Sequence, residues 1–189
     1  MDLACQRGER LLFRNVSLAL EAGQALRITG PNGTGKSSLM RVLAGLLRPW
    51  SGSVEREGAA GLLDERPALD EHEPLARALA LWSKIDGDHD HYDMGGALQR
   101  LGLEHLTDVP VRFLSTGQRK RAAFARLMGQ GAQIWLLDEP LNGLDRDAAT
   151  DCEWLVQDHC RAGGIAVIAS HQEFGLTGMT VLPLHDFAP

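Results

Sequence analysis

Gly30-Pro-Asn-Gly-Thr-Gly-Lys-Ser37 constrains this chain more than any other segment. It matches G-x-x-x-x-G-K-[ST]. It follows the strand-like run Ala25–Thr29 and opens a stretch of helical period, Ser37–Leu47, with Leu39, Val42, Leu43 and Leu46 on one face. Glycines let a backbone turn its N–H groups inward around an anion. The helix that follows offers its positive N-terminal end to the same anion. Gly30, Pro31, Asn32, Gly33, Thr34 and Gly35 therefore read as a phosphate cradle, with Ser38 beside it in the first helical turn. Lys36 can reach β- and γ-phosphate oxygens, and the Ser37 hydroxyl suits Mg²⁺.

Strand-like and helix-like blocks alternate along the rest of the chain, which predicts an α/β fold. Val16–Leu20 alternates as a strand, and Glu21-Ala-Gly23 is a turn. Ala59–Leu63 is a short apolar strand. Leu75–Lys84 and Met94–Leu101 are helical, with the polar linker Asp86–His91 between them. Gln118–Gln130 and Asp147–Arg161 are predicted helices. Ile134–Leu137, Ile165–Ala169 and Met179–Leu184 are predicted strands.

Ile134-Trp-Leu-Leu-Asp-Glu139 is an apolar strand ending in two acids. Asp138 would emerge near the cation. Glu139 would polarise an attacking water as general base. Leu114-Ser-Thr-Gly-Gln118 opens a helix: Ser115 is a plausible N-cap, and Gly117 leaves room for backbone to approach an anion. Taken alone, it could equally be a capped surface helix with a solvated basic face, Arg119-Lys-Arg121. Gly143-Leu-Asp145 and Ser170-His171 follow in order. His89–Asp93 lacks convincing metal-ligand spacing and reads as a solvated loop. Trp50, Trp82, Trp135 and Trp154 read as core or interface residues.

The 189 residues suit one domain, with 68–130 as an inserted helical lobe that carries Leu114–Gln118. A net charge of −6 without a basic stripe argues against nucleic acid as the main partner. Three scattered cysteines fit a reducing compartment better than a disulfide framework. Charges recur through the first ten residues, so no signal-peptide core is expected there. No apolar run approaches membrane-spanning length, so a membrane role must be borrowed from a partner.

The ordered set Gly30–Ser37, Leu114–Gln118, Ile134–Glu139, Gly143–Asp145 and His171 resembles the nucleotide-binding domain of ABC transporters, over nearly the whole chain. The opening Leu3–Phe13, the short chain and the Leu-Ser-Thr-Gly-Gln signature are similar to the ATP-binding subunits of the haem exporters of cytochrome c maturation. The resemblance implies a P-loop NTPase core sheet with flanking helices, an N-terminal antiparallel β part and a small helical subdomain. It implies hydrolysis of ATP with Mg²⁺ and integral membrane permease partners. It places the chain peripherally on the cytoplasmic face of the bacterial inner membrane.

The resemblance also implies a head-to-tail homodimer in the ATP state, each ATP lying between one copy's P-loop and the other's Ser115, Gly117 and Gln118. Asp145 would communicate across that interface, and His171 would contact the γ-phosphate. Two departures stand out. The superfamily's glutamine after the Ala59–Leu63 strand is missing, since none occurs between Gln24 and Gln99. Arg66 takes its place, with Glu65 as a substitute oxygen donor. The adenine-stacking aromatic is also missing. Arg7 stands near that position, and a guanidinium plane can stack on a base. The other readings are an ABC ATPase for another substrate, a soluble ABC ATPase acting on ribosomes or DNA, and a regulatory subunit with little turnover.

Overall fold

The structure, a computed structural model, describes residues 2–64, 68–86 and 93–189. It begins with an antiparallel hairpin, β1 (Leu3–Arg7) and β2 (Arg10–Val16), which pairs Leu3 with Val16 and Arg7 with Arg10. The two-residue turn Gly8-Glu9 needs a left-handed residue, and Gly8 supplies it with φ 58°. The strand expected over Val16–Leu20 thus lies upstream and ends where that one was to begin. Its pairing partner stops at Leu3, so residues beyond Val16 have no ladder to join. Leu18 and Leu20 still pack on the core, while Ser17 exchanges hydrogen bonds with Asp2.

The main sheet has five parallel strands: β3 (Ala25–Thr29), β4 (Ala60–Leu63), β5 (Ile134–Asp138), β6 (Ile165–Ala169) and β7 (Thr180–Pro183). They lie side by side in the order β4-β5-β6-β3-β7. Among the described residues five α-helices accompany them: α1 (Lys36–Leu43), α2 (Leu75–Asp86), α3 (Met94–Arg100), α4 (Thr116–Gly129) and α5 (Arg146–Arg161). Helices cover both faces of the sheet, which is why β5 and β6 are continuous apolar runs and not alternating ones. On one face Leu26, Ile28, Leu136 and Val167 meet Leu39, Met40 and Leu43 of α1 and Phe13 of the hairpin. On the other, Trp135, Leu137, Ala166 and Ile168 meet Phe124 of α4 and Leu155 and Val156 of α5. That second core continues through Leu75 and Leu79 of α2 and Leu98 of α3.

Helix α1 is shorter than its apolar period suggested. The N–H of Gly45 bonds to the carbonyl of Val42 and that of Leu46 to Arg41, a Schellman ending that requires the left-handed Gly45 (φ 78°). Leu39, Val42 and Leu43 are buried as expected. Leu46, thrown outward by this ending, is 70% exposed. Among the tryptophans Trp135 is core, while Trp50 and Trp154 are exposed. No helix among the described residues is long and apolar enough to cross a membrane.

Candidate functional site

The sheet order assembles the site. Strand β6 lies between β3 and β5, so the glycine loop after β3, the Ser170-His171 pair after β6 and the acids ending β5 emerge side by side at the carboxyl edge. Ligands of open α/β sheets bind at this edge. An open cleft of about 570 Å³ lies there. Asn32, Gly33, Gly35, Lys36, Ser37 and Ser38 line it from the loop side, and Glu139, Asn142 and His171 from the other. Arg7, Arg10 and Leu12 of the hairpin complete it.

The loop has the backbone its glycines allow: φ is 144° at Gly30, 81° at Gly33 and 104° at Gly35. At Gly35 a Cβ would lie 3.0 Å from the Phe13 ring and 3.1 Å from Leu12, so the loop also needs glycine to sit against β2. The Thr34 hydroxyl donates to the Pro31 carbonyl at 2.9 Å. Lys36, only 7% exposed, donates from Nζ to the carbonyls of Gly30 (2.8 Å) and Pro31 (3.3 Å). Its ammonium is thereby held over the loop, within the cleft lining.

Asp138 is buried, and burial pushes its carboxyl above the usual range. A hydrogen bond with Ser37 opposes that rise, and the nearby charges of Asp64 and Glu139 add to it. Its Oδ1 is buried with no hydrogen-bond partner among the described residues. A hard oxygen of this kind beside the Ser37 hydroxyl is the donor chemistry Mg²⁺ takes.

Glu139 follows with φ 47°, a left-handed backbone on a residue with a side chain. Its N–H donates to the Ala169 carbonyl at 2.8 Å. Its Oε2 lies 2.9 Å from His171 Nδ1. A carboxylate oriented by an imidazole at the mouth of a cleft can accept a proton from water.

The second group of expected residues lies elsewhere. Ser115, Gly117, Gln118 and Asp145 do not line this cleft. Ser115 caps α4 through a reciprocal capping box with Gln118, at 3.2 and 2.8 Å. A Cβ on Gly117 would meet the Gly143 carbonyl at an ordinary 3.5 Å, so no described neighbour in its own chain demands glycine there. Asp145 caps α5 by accepting from the Ala148 N–H. The basic run after Gln118 is not a solvated face: Lys120 is buried, and Arg121 donates to the Leu101 carbonyl at 2.7 Å.

Sequence reasoning placed Arg7 at the cleft but missed Arg10, Leu12 and Asn142. The signal for Arg10 was the spacing Arg7-Gly-Glu-Arg10, which in a two-residue hairpin sets the arginines opposite one another. Glu65, Arg66 and most of His89–Asp93 lie outside the described residues. Asp93 caps α3 through the Gly96 N–H.

The fold and this edge define a class, and the chain belongs to the ABC transporter family, whose sequence profile matches residues 13–142. It is an ATP-hydrolysing subunit of the kind that works with membrane components of a transporter. It is 52% identical over 188 residues to the cytochrome c biogenesis ATP-binding export protein CcmA of Novosphingobium aromaticivorans, with 100% of this chain and 95% of that protein covered. The protein of the same name from Zymomonas mobilis is 46% identical, with 98% of this chain and 83% of that one covered. Among solved structures, cbiO1 from Clostridium perfringens, part of the ABC transporter complex cbiONQ, superposes with a TM-score of 0.74 at 25% identity. The match covers 90% of this chain and 76% of that one.

Proposed function

We propose that the cleft hydrolyses Mg²⁺-bound ATP to drive a haem-related export step of cytochrome c biogenesis. The observation that carries the ATPase reading is the convergence of Lys36 and the Glu139–His171 pair on one cleft. Gly30–Gly35 would hold the phosphates with backbone N–H groups, while Lys36 leaves its loop carbonyls for the β- and γ-oxygens. Ser37 and Asp138 would hold Mg²⁺, which when bound offsets phosphate charge. Glu139 would take a proton from the attacking water, and His171 would orient the Glu139 carboxylate and reach the γ-phosphate. Arg7 would stack on the base. The likeness to two export proteins named for cytochrome c biogenesis supports the export reading.

The dimer belongs to the same proposal. Ser115, Gly117 and Gln118 lie off their own chain's cleft, and no described neighbour in that chain requires Gly117 to be glycine. A second copy, docked head to tail, would bring this helix start to the first copy's γ-phosphate, with Asp145 at the junction. Residues 68–130 would form the helical lobe that presents it. The assembly would sit on the cytoplasmic face of the bacterial inner membrane, held by integral permease subunits.

The test is Glu139→Gln, which keeps shape and removes the base. ATPase should fall by about 10²-fold or more. ATP binding should persist, and the dimer should accumulate with ATP and Mg²⁺ in size-exclusion chromatography. A variant that stays monomeric and still hydrolyses ATP defeats the assignment.

A further inference from the structure

We propose that Lys120, on the helix opened by Ser115, is a positioning residue for Glu139, holding it in the backbone conformation from which its carboxylate meets the cleft. The proposal rests on the reading of Glu139 as the base.

Glu139 is placed against its local preferences. A side-chain-bearing residue at φ 47° is in a sparsely populated region. It also precedes Pro140, and a residue before proline favours extended backbone. Glycine would adopt this backbone freely but carries no carboxylate. The chain must therefore hold a glutamate in a conformation suited to glycine, and the hold has to come from tertiary contacts.

Three hydrogen bonds hold the Glu139 main chain, one of them the local turn bond that its carbonyl accepts from the Asn142 N–H at 3.3 Å. On one side its N–H donates to the Ala169 carbonyl of β6 at 2.8 Å. On the other its carbonyl accepts from Lys120 Nζ at 3.1 Å. Lys120 is only 4% exposed. Burying an ammonium is costly unless its charge meets good acceptors, and the Glu139 carbonyl is one of them. Contacts on both sides of one strained residue set the direction in which the Glu139 carboxylate leaves the chain. That carboxylate then meets His171 at 2.9 Å.

The same contact joins the base to the start of α4. A Cβ at Gly143 would strike Thr116 Cγ2 at 2.6 Å, and one at Gly117 would lie 3.5 Å from the Gly143 carbonyl. The first turns of α4 and the 139–143 loop thus form one packed unit. Lys120 ties the seating of the signature helix to the placement of the base in the same chain.

The experiment uses the full chain with its membrane partner and compares Lys120→Met and Lys120→Arg with wild type. Methionine keeps most of the apolar stem and removes the donor; arginine keeps a donor. For Lys120→Met, kcat should fall about tenfold or more, because small displacements of catalytic groups are that expensive. KM and the nucleotide Kd should stay within about twofold, since the loop that binds phosphate is untouched. Lys120→Arg should recover most of the lost kcat. A Lys120→Met variant with kcat within about twofold of wild type overturns the proposal. So do equal losses in kcat and nucleotide binding that arginine does not rescue. If the methionine variant fails to fold, Lys120→Gln serves instead. Its amide stops short of the carbonyl, so kcat should again fall with Kd preserved, and wild-type kcat would overturn the proposal. Undiminished turnover in Glu139→Gln would remove the base reading itself, whatever Lys120 does.

Discussion

The two ends of the parallel sheet are built on opposite principles. At the amino ends of the strands polar groups are paired with one another. The Gln133 side chain accepts from the Ala59 N–H at 2.9 Å, and its carbonyl accepts from Ile165 N–H at 2.8 Å, with His159 Nε2 at 3.1 Å. Gly23 donates to the Gly164 carbonyl, and the His159 ring stacks on Trp135 at 4.0 Å and 9°. At the carboxyl ends lie a left-handed glutamate, a buried Asp138 oxygen without a partner among the described residues, and a lysine bonded to loop carbonyls. The same five strands thus carry one end that only stabilises and one where strain and unspent hydrogen-bonding capacity accumulate. Natural sequences break local rules at functional sites and compensate elsewhere.

If that division holds, substitutions at the two ends should separate turnover from stability. The largest effect is expected at the carboxyl end. Lys36→Ala should lower ATPase by about 10³-fold or more and weaken nucleotide binding, because the ammonium is the loop's cation for phosphate. Its Tm without nucleotide should change little by comparison. Near-normal turnover at saturating ATP would remove the loop from the chemistry.

A change at the amino end should do the reverse. A Cβ added at Gly164 runs into the His159 ring, which is itself stacked on Trp135. Gly164→Ala should cost about 1–3 kcal/mol of stability, read as a lowered urea midpoint. The kcat measured below the transition should be unchanged. A fall in kcat with no loss of stability would show that the two ends are not independent.

The smallest effect concerns pH. Burial lowers the His159 pKa from 6.5, and hydrogen bonds with the backbone of Gln133 and Ile165 oppose the shift only in part. The folded protein therefore binds this proton less readily than the unfolded chain. The stability that goes with the neutral ring is complete above pH 6.5 and is lost as pH falls through 6.5 toward the lower folded value. Unfolding measured from pH 8 to pH 5 should show a shallower decline in His159→Phe than in wild type. Identical slopes would mean that His159 is not a protonation-sensitive part of the amino end.

Much of the site was legible before the structure because its residues are consecutive. Gly30–Ser37 carries its conformation in its own glycines, and Asp138-Glu139 ends a run whose apolar character already marked a buried strand. Lys120 was not legible. It sits in a basic run that suits a solvated helix face, and only the packing of α4 over the 139–143 loop turns it inward. The strand expected over Val16–Leu20 was misplaced for a related reason: alternation persists to Leu20, but a strand ends where its partner ends.

The sequence by itself determined the parts whose chemistry is local. These are the left-handed glycines of the loop, the capping residues Ser115 and Asp145, the Gly45 that closes α1, and the apolar periods of the strands and helices. Tertiary structure alone decided adjacency. It set β6 between β3 and β5, so that His171 stands beside Glu139 although 32 residues separate them. It also imposed a glycine-like backbone on Glu139, through contacts from β6 and α4 that no local preference would supply. Local conformation depends on a few neighbouring side chains, whereas strand order and a strained backbone depend on how two faces of one sheet bury their apolar surface together.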